Sequence, residues 1–284
     1  MRALCLSGGG SKGAYQVGAL RRLVELEEQY DLFSGVSVGA LNATLLVQNP
    51  TLAPGVSVLS DIWASLTTRD VARKRFLGPL SLLWAPSIYT AEPLKALVNR
   101  NLDYDKLQNS GKKLQIVSVN MCTGATAICT EKAERNLLVD HILASAVAPI
   151  LYPPVIINEE AHTDGGIRHV SPLDAAIHAG ASHIDLILCS GKAQYRWDAK
   201  VTSILSYADR VIDIMLAEIA NNDIVMTQLH NKLRRADSQH AKKEVSLRIC
   251  RPAKMFEVAS SEFDPAVSQR LMKAGYEDAL MAFG

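Results

Sequence analysis

The chain has 284 residues, 48% hydrophobic and 21% charged, with a net charge of +1. That composition suits a globular protein long enough for a substantial core, and the charge balance gives no sign of a nucleic-acid partner. Five cysteines without C-x-x-C spacing exclude a zinc ribbon or disulfide frame and read as reduced core thiols of a cytoplasmic protein. In chain order, Arg2 to Leu6 predicts a strand, Ala14 to Glu28 a helix, Tyr30 to Val36 a strand and Leu41 to Gln48 a helix ending before Pro50. Leu114 to Cys122 and Thr126 to Thr130 predict strands around the turn at Thr123-Gly124. Leu137 to Ala146 predicts a helix, Pro154 to Ile157 a short strand, and Pro172 to Ala179 a helix closed by Gly180. Ile184 to Ser190 is an apolar strand, Val201 to about Leu233 a long helix, Val245 to Cys250 a last strand, and the tail after Pro265 is helical.

Alternating strands and helices predict an α/β, three-layer sandwich with a largely parallel central sheet. We expect one domain over 1–284, mainly helical from about residue 192 onward. Sites in such sheets lie at the carboxyl ends of the strands. Only four apolar residues separate Arg2 from Ser7, too few for a secretory signal core. The uncharged run Ile142 to Asn158 is broken by Pro149, Pro153 and Pro154 and falls short of the ~20 residues of a spanning helix. The expectation is a cytoplasmic protein with, at most, peripheral membrane contact.

Gly8 to Gly13 fits G-x-G-x-x-G between a strand and a helix, the context of a dinucleotide fold. That fold wants an acid at the far end of the second strand, whereas Asp31 lies near its beginning. A phosphate-binding P-loop is a poorer match, because Ala14-Tyr15 follows Gly13 where Lys and a hydroxyl are required. Backbone amides at a helix N-terminus also suit a transient oxyanion. A plain tight turn needs only one glycine, not four in six positions.

Residues 35 to 39 read Gly-Val-Ser-Val-Gly, a G-x-S-x-G between strand and helix, the setting of a nucleophile elbow at Ser37. A serine N-cap in a strand-to-helix turn is its bland counterpart. A triad would need a later acid and then a histidine, yet none of the histidines at 141, 162, 169, 178, 183, 230 and 240 has a catalytic context. Residues 163 to 166 read Thr-Asp-Gly-Gly, which by itself is compatible with an Asx-turn.

Taken together, G-G-G-x-K-G, then G-x-S-x-G-A-x-N, then Asp-Gly-Gly before a Pro-containing helix resembles the patatin-like phospholipase family. Ala144 to Pro149 and Tyr152-Pro153-Pro154 also resemble that family's segment ahead of its aspartate, and the likeness runs from about residue 3 to 191. The resemblance implies a patatin-like fold and a phospholipase A type lipid acyl hydrolase with a Ser-Asp dyad, Ser37 and Asp164. It implies an oxyanion hole from Gly8, Gly9 and Gly10, with Lys12, Gly13, Gly35, Gly39, Gly165 and Gly166 completing the motifs. The substrate would be a membrane phospholipid or other acyl-ester lipid, with no cofactor and no metal; Lys12 would stand near a headgroup or simply be a solvated helix-start lysine. Val170-Ser171-Pro172 departs mildly from the family's Asn-Pro. The rival readings are a dinucleotide-binding protein using Gly8–Gly13 and a non-catalytic interaction protein on the same fold. Lastly, Arg73-Lys74-Arg75 before an apolar stretch ending at Trp84 fits either a membrane-docking lid or core packing beside a basic turn.

Overall fold

The computed structural model describes residues 1–75, 85–191, 204–236, 244–254, 256 and 258–284. Its first strand, β1 (Arg2–Leu6), is buried on both faces. Leu4 and Leu6 join one core layer, while Ala3 and Cys5 join another on the opposite side of the sheet. An apolar run with no polar alternation is what a central parallel strand requires. A 3-10 turn (Gly10–Gly13) leads into α1 (Ala14–Glu25), and β2 (Leu32–Val36) returns parallel to β1. Next comes α2 (Val38–Val47), apolar almost all round and correspondingly buried.

Four helices follow before the next sheet strand: α3 (Leu52–Ser65), the single turn α4 (Thr68–Val71), α5 (Glu92–Asn101) and α6 (Tyr104–Asn109). Between α4 and α5 a two-residue ribbon forms from β3 (Arg73–Lys74) and β4 (Tyr89–Thr90). The sheet resumes with β5 (Lys113–Asn120) and β6 (Thr126–Thr130), then α7 (Arg135–Ala146), β7 (Val155–Ile157) and β8 (Glu160–Asp164). Closing the chain are α8 (Leu173–His178), β9 (His183–Ile187), α9 (Ile204–Ala236), β10 (Ser246–Cys250) and α10 (Pro265–Phe283).

The sheet order is β10-β9-β1-β2-β5-β8-β7, with β6 also paired to β5. From β10 to β5 it is parallel; β6, β7 and β8 are antiparallel additions. Helices α1, α2, α3, α7 and α10 cover one face and α8 and α9 the other, which gives the three layers. The C-terminal helix is held closely. An added Cβ on Gly18 of α1 would lie 1.8 Å from the Met272 carbonyl oxygen, and one on Gly275 of α10 would lie 2.0 Å from that of Tyr15. The two backbones therefore touch where they cross.

One detail of register sets up the site. β2 occupies one edge of β5 up to the pair Val36↔Val117, while β6 holds the other edge from Gln115 to Val119. β8 then takes over the edge that β2 leaves, starting at Ser118↔Asp164. Val36 and Asp164 thus oppose successive residues of β5, and the turn after β2 is brought beside the end of β8.

Candidate active site

Ser37 sits between β2 and α2 with φ +56°, a left-handed conformation unusual for a residue with a side chain. Several contacts hold it there. Its N–H donates to Ser145 Oγ at 2.9 Å, and that hydroxyl donates to the Val117 carbonyl at 2.6 Å. Its carbonyl accepts from Ala40 N–H at 2.9 Å, starting α2. The glycines on either side are there for space. A Cβ on Gly35 would sit 2.3 Å from the Gly39 carbonyl oxygen, and one on Gly39 would sit 2.2 Å from that of Leu6. Strand and helix meet backbone to backbone around the serine.

Asp164 ends β8 and caps the short 3-10 turn that follows, with Oδ1 accepting from Gly166 N–H at 2.7 Å. Gly165 lets this turn rest on β5, since a Cβ there would lie 2.5 Å from the Val117 carbonyl oxygen. Both Ser37 and Asp164 are buried. Burial pushes the Asp164 carboxyl up to about 6, against the opposing pull of hydrogen bonds from the Ser37 side chain and Gly166 N–H. The two residues named from the sequence, 127 positions apart, are brought together by the register on β5.

The glycine loop faces this pair. Gly8 N–H donates to the Val170 carbonyl at 3.1 Å, and Ser11 N–H to the Ser260 carbonyl at 2.8 Å. The Ser7 carbonyl accepts from Gln16 Nε2 at 2.8 Å, that of Gly8 from Ser7 Oγ at 3.0 Å, and that of Gly9 from Lys12 N–H at 3.1 Å. The N–H groups of Gly9 and Gly10 are the two left in this stretch without a partner among the described residues. Gly10 is left-handed at φ +57°, and a Cβ on it would strike the Ser260 carbonyl oxygen at 2.1 Å. A Cβ on Gly9 would strike Cys189 Cβ at 2.2 Å, and one on Gly13 would meet Val38 Cγ2 at 2.4 Å. Two adjacent free amides, flanked by tied ones, are thus left beside the serine. Of the three glycines expected to supply donors, Gly8 has its N–H committed elsewhere.

Gly9, Gly10, Ser37 and Asp164 all line one cavity of about 340 Å³. It runs past Leu41 and Leu45 of α2, one and two turns from the serine, to Trp63, Leu94 and Leu97. Ile150, Ile167 and Ile212, all exposed, line it as well. Such a space takes an apolar chain and offers little to a hydrated ligand.

Lys12 is not a free headgroup ligand. Its ammonium is 2.8 and 3.0 Å from the two carboxylate oxygens of Asp213 on α9, and its side chain is only 8% exposed. It fastens the glycine loop to the helix across it. Asp223, also on α9, accepts from Ser171 N–H at 3.1 Å and lies 3.5 Å from His169 Nδ1, bracing the loop that carries Val170. No sequence pattern pointed to Asp213 or Asp223. Ser145 lies within the Ala144 to Pro149 segment, but nothing local in the sequence marks its place behind the serine. Asp31 accepts from Arg2 N–H at the opposite end of the sheet, away from the glycine loop. His141 and His162 form a T-shaped pair 5.5 Å apart, and burial holds both below the usual histidine range. No histidine among the described residues hydrogen-bonds to Ser37 or Asp164. No group of His, Cys, Asp or Glu among them is arranged to hold a metal. No helix among them is long and apolar enough to cross a membrane. Of the basic segment, Arg73 and Lys74 lie in the exposed ribbon, and Arg75 Nε donates to Ser87 Oγ at 3.2 Å; residues 76–84 lie outside the described ones.

The sequence is also similar to those of known proteins. Residues 4–177 match the family described as Patatin-like phospholipase. Neuropathy target esterase sws of Drosophila melanogaster is 26% identical over 184 residues, covering 64% of this chain and 12% of that protein. Human patatin-like phospholipase domain-containing protein 6 is 25% identical over 186 residues, covering 64% and 13%. Probable lipid hydrolase 463L of Invertebrate iridescent virus 6 is 25% identical over 185 residues, covering 62% and 63%. The match thus spans only a small part of the first two relatives and most of the third. On the family match over more than half its length, the chain belongs to the patatin-like phospholipases.

Proposed function

We propose that this protein is a serine acyl hydrolase of phospholipase A type, cleaving fatty-acyl esters of membrane glycerophospholipids. The observation that carries the proposal is the convergence at one end of an apolar cavity of Ser37, a buried Asp164 and two unpartnered amides. Ser37 Oγ attacks the ester carbonyl and passes its proton to the Asp164 carboxylate. The carbonyl oxygen, now negative, receives the N–H groups of Gly9 and Gly10. Collapse expels the lysolipid alcohol, which takes the proton back from Asp164. A water then repeats the sequence on the acyl-enzyme, releasing the fatty acid and restoring Ser37. An aspartate is normally too acidic for this work; a carboxyl near 6 is a far better proton acceptor for a base acting around neutral pH. The acyl chain occupies the cavity along α2, and the exposed isoleucines at its mouth meet the lipid surface from the cytoplasmic side, as a peripheral contact.

The test is lipid mass spectrometry after incubation with mixed-phospholipid vesicles, for the wild type and Ser37→Ala. Lysolipid and free fatty acid should form with the first and not with the second. Absence of both products with the wild type, together with no labelling of Ser37 by a fluorophosphonate, would favour a non-catalytic interaction protein on the same fold.

A further inference from the structure

The Gly9 amide is only as well aimed as the peptide plane that carries it. That plane holds the Gly8 carbonyl at its other end, pointing the opposite way, because the peptide is trans. The Gly8 carbonyl accepts a hydrogen bond from the hydroxyl of Ser7 at 3.0 Å. Ser7 is fully buried, and its Oγ is itself fixed by accepting from Cys189 N–H at 2.9 Å, just beyond β9. With an N–H already supplying one proton to Oγ, the hydroxyl's own proton is directed to Gly8. Gly9 packs directly on Cys189, so the loop, the hydroxyl and the end of β9 form one rigid unit.

We propose that Ser7 is a positioning residue for the reaction: it locks the Gly8–Gly9 peptide plane so that the Gly9 N–H meets the oxygen that becomes negative. This rests on the hydrolase reading above. Ser7 does not itself line the substrate cavity and reaches it only through the Gly8–Gly9 peptide that it holds. Its effect is therefore expected where charge develops, not where the lipid chain binds.

The experiment uses a short soluble ester, a trifluoromethyl ketone analogue that forms a tetrahedral adduct, and a free fatty acid as a ground-state inhibitor. Loss of an aligned donor predicts that Ser7→Ala lowers kcat about 10- to 100-fold and weakens the ketone by a similar factor. KM and inhibition by the fatty acid should stay within about twofold. Ser7→Thr, which keeps the hydroxyl, should recover most of the loss, while Ser7→Cys, a weak donor of nearly the same size, should not. A folded Ser7→Ala with unchanged kcat overturns the proposal, as does equal weakening of ketone and fatty acid, which marks general loosening. Should Ser7→Ala fail to fold, the Thr and Cys variants decide: equal activity in both rejects the role, and activity in Thr alone supports it. Failure of the parent reading looks different, because the wild type would then show no turnover, or Ser37→Ala would retain it, whatever Ser7 does.

Discussion

The chain has two glycine clusters near its start, and they do different work. Between 35 and 39 the glycines make room: their missing side chains let β2, α2 and β1 meet backbone to backbone around a strained serine. Between 8 and 10 they also shape the loop, but the outcome that matters is which amides remain unpaired. Gly8 is tied to Val170 while Gly9 and Gly10 are left facing the cavity. In sequence both clusters read simply as glycine-rich. Both kinds of glycine should cost stability where an added Cβ meets its neighbours, but the second should also lose kcat without a matching change in KM, and substitutions can separate them.

The largest effects belong to the pair the clusters frame. Ser37→Ala should abolish ester hydrolysis in a protein with native circular dichroism, since only one hydroxyl is lost. Asp164→Asn should lower kcat by about a thousandfold or more, because the amide cannot take the proton. It should also stabilise the fold. A carboxyl raised to about 6 when folded, from 3.8 in the unfolded chain, is ionised at a cost above pH 6. That cost is about 3 kcal/mol at pH 7 and fades as pH falls from 6 towards 4, where the folded state binds the extra proton. Denaturant melts of the wild type and Asp164→Asn at pH 7 and pH 4 should therefore converge at the lower pH. In the same window kcat/KM of the wild type should fall about tenfold per pH unit below 6, reporting loss of the base. A flat profile between pH 4.5 and 6.5, on the order of two units across that pKa, would deny Asp164 the proton.

Next come the two clusters themselves. Gly39→Ala places a methyl 2.2 Å from the Leu6 carbonyl oxygen, backbone that cannot step aside. It should cost about 2 to 4 kcal/mol of stability, seen as a lowered melting temperature. Gly10→Ala strains a left-handed residue against Ser260 and shifts an amide proposed to receive the oxyanion. It should lower kcat about 100-fold with little change in KM. A raised KM with unchanged kcat would instead mean that the loop holds a ground-state anion.

What the sequence revealed follows the same division between local and distant causes. The elbow was legible because five contiguous residues encode it. The alternation of β1, α1, β2 and α2 was legible from apolar runs, although α2 begins directly after Ser37, three residues earlier than its periodicity suggested. Helix α3 is hidden in the sequence because Pro54 and Gly55 look like a loop; Pro54 falls in the first turn, where its missing N–H costs nothing, and Gly55 lets α3 pack on Leu46. Strand β8 reads Glu-Ala-His-Thr-Asp, with no apolar alternation to betray it. Asp164 could be named only through the family resemblance, since its nearness to Ser37 is a matter of register on β5. The partner of Lys12, 201 residues away on α9, was beyond any local pattern.

The smallest expected effect is also the one that tests the comparison most finely, at Gly8. Its N–H is spoken for, so a methyl there removes no oxyanion donor. The added Cβ would lie 3.2 Å from Ser37 Cβ and 3.9 Å from Ser37 Oγ, tight but not prohibitive. The serine must give by a few tenths of an ångström, which misaims the nucleophile slightly and leaves the two free amides in place. Gly8→Ala should therefore lower kcat by about three- to tenfold, well short of Gly10→Ala. Its affinity for a trifluoromethyl ketone, corrected for the rate of adduct formation, should track that modest loss. A defect as large as that of Gly10→Ala, with the ketone weakened to match, would mean that the Gly8 amide leaves Val170 during the reaction. The hole would then use three donors, and the tied and free amides of this loop would exchange roles as the oxyanion forms.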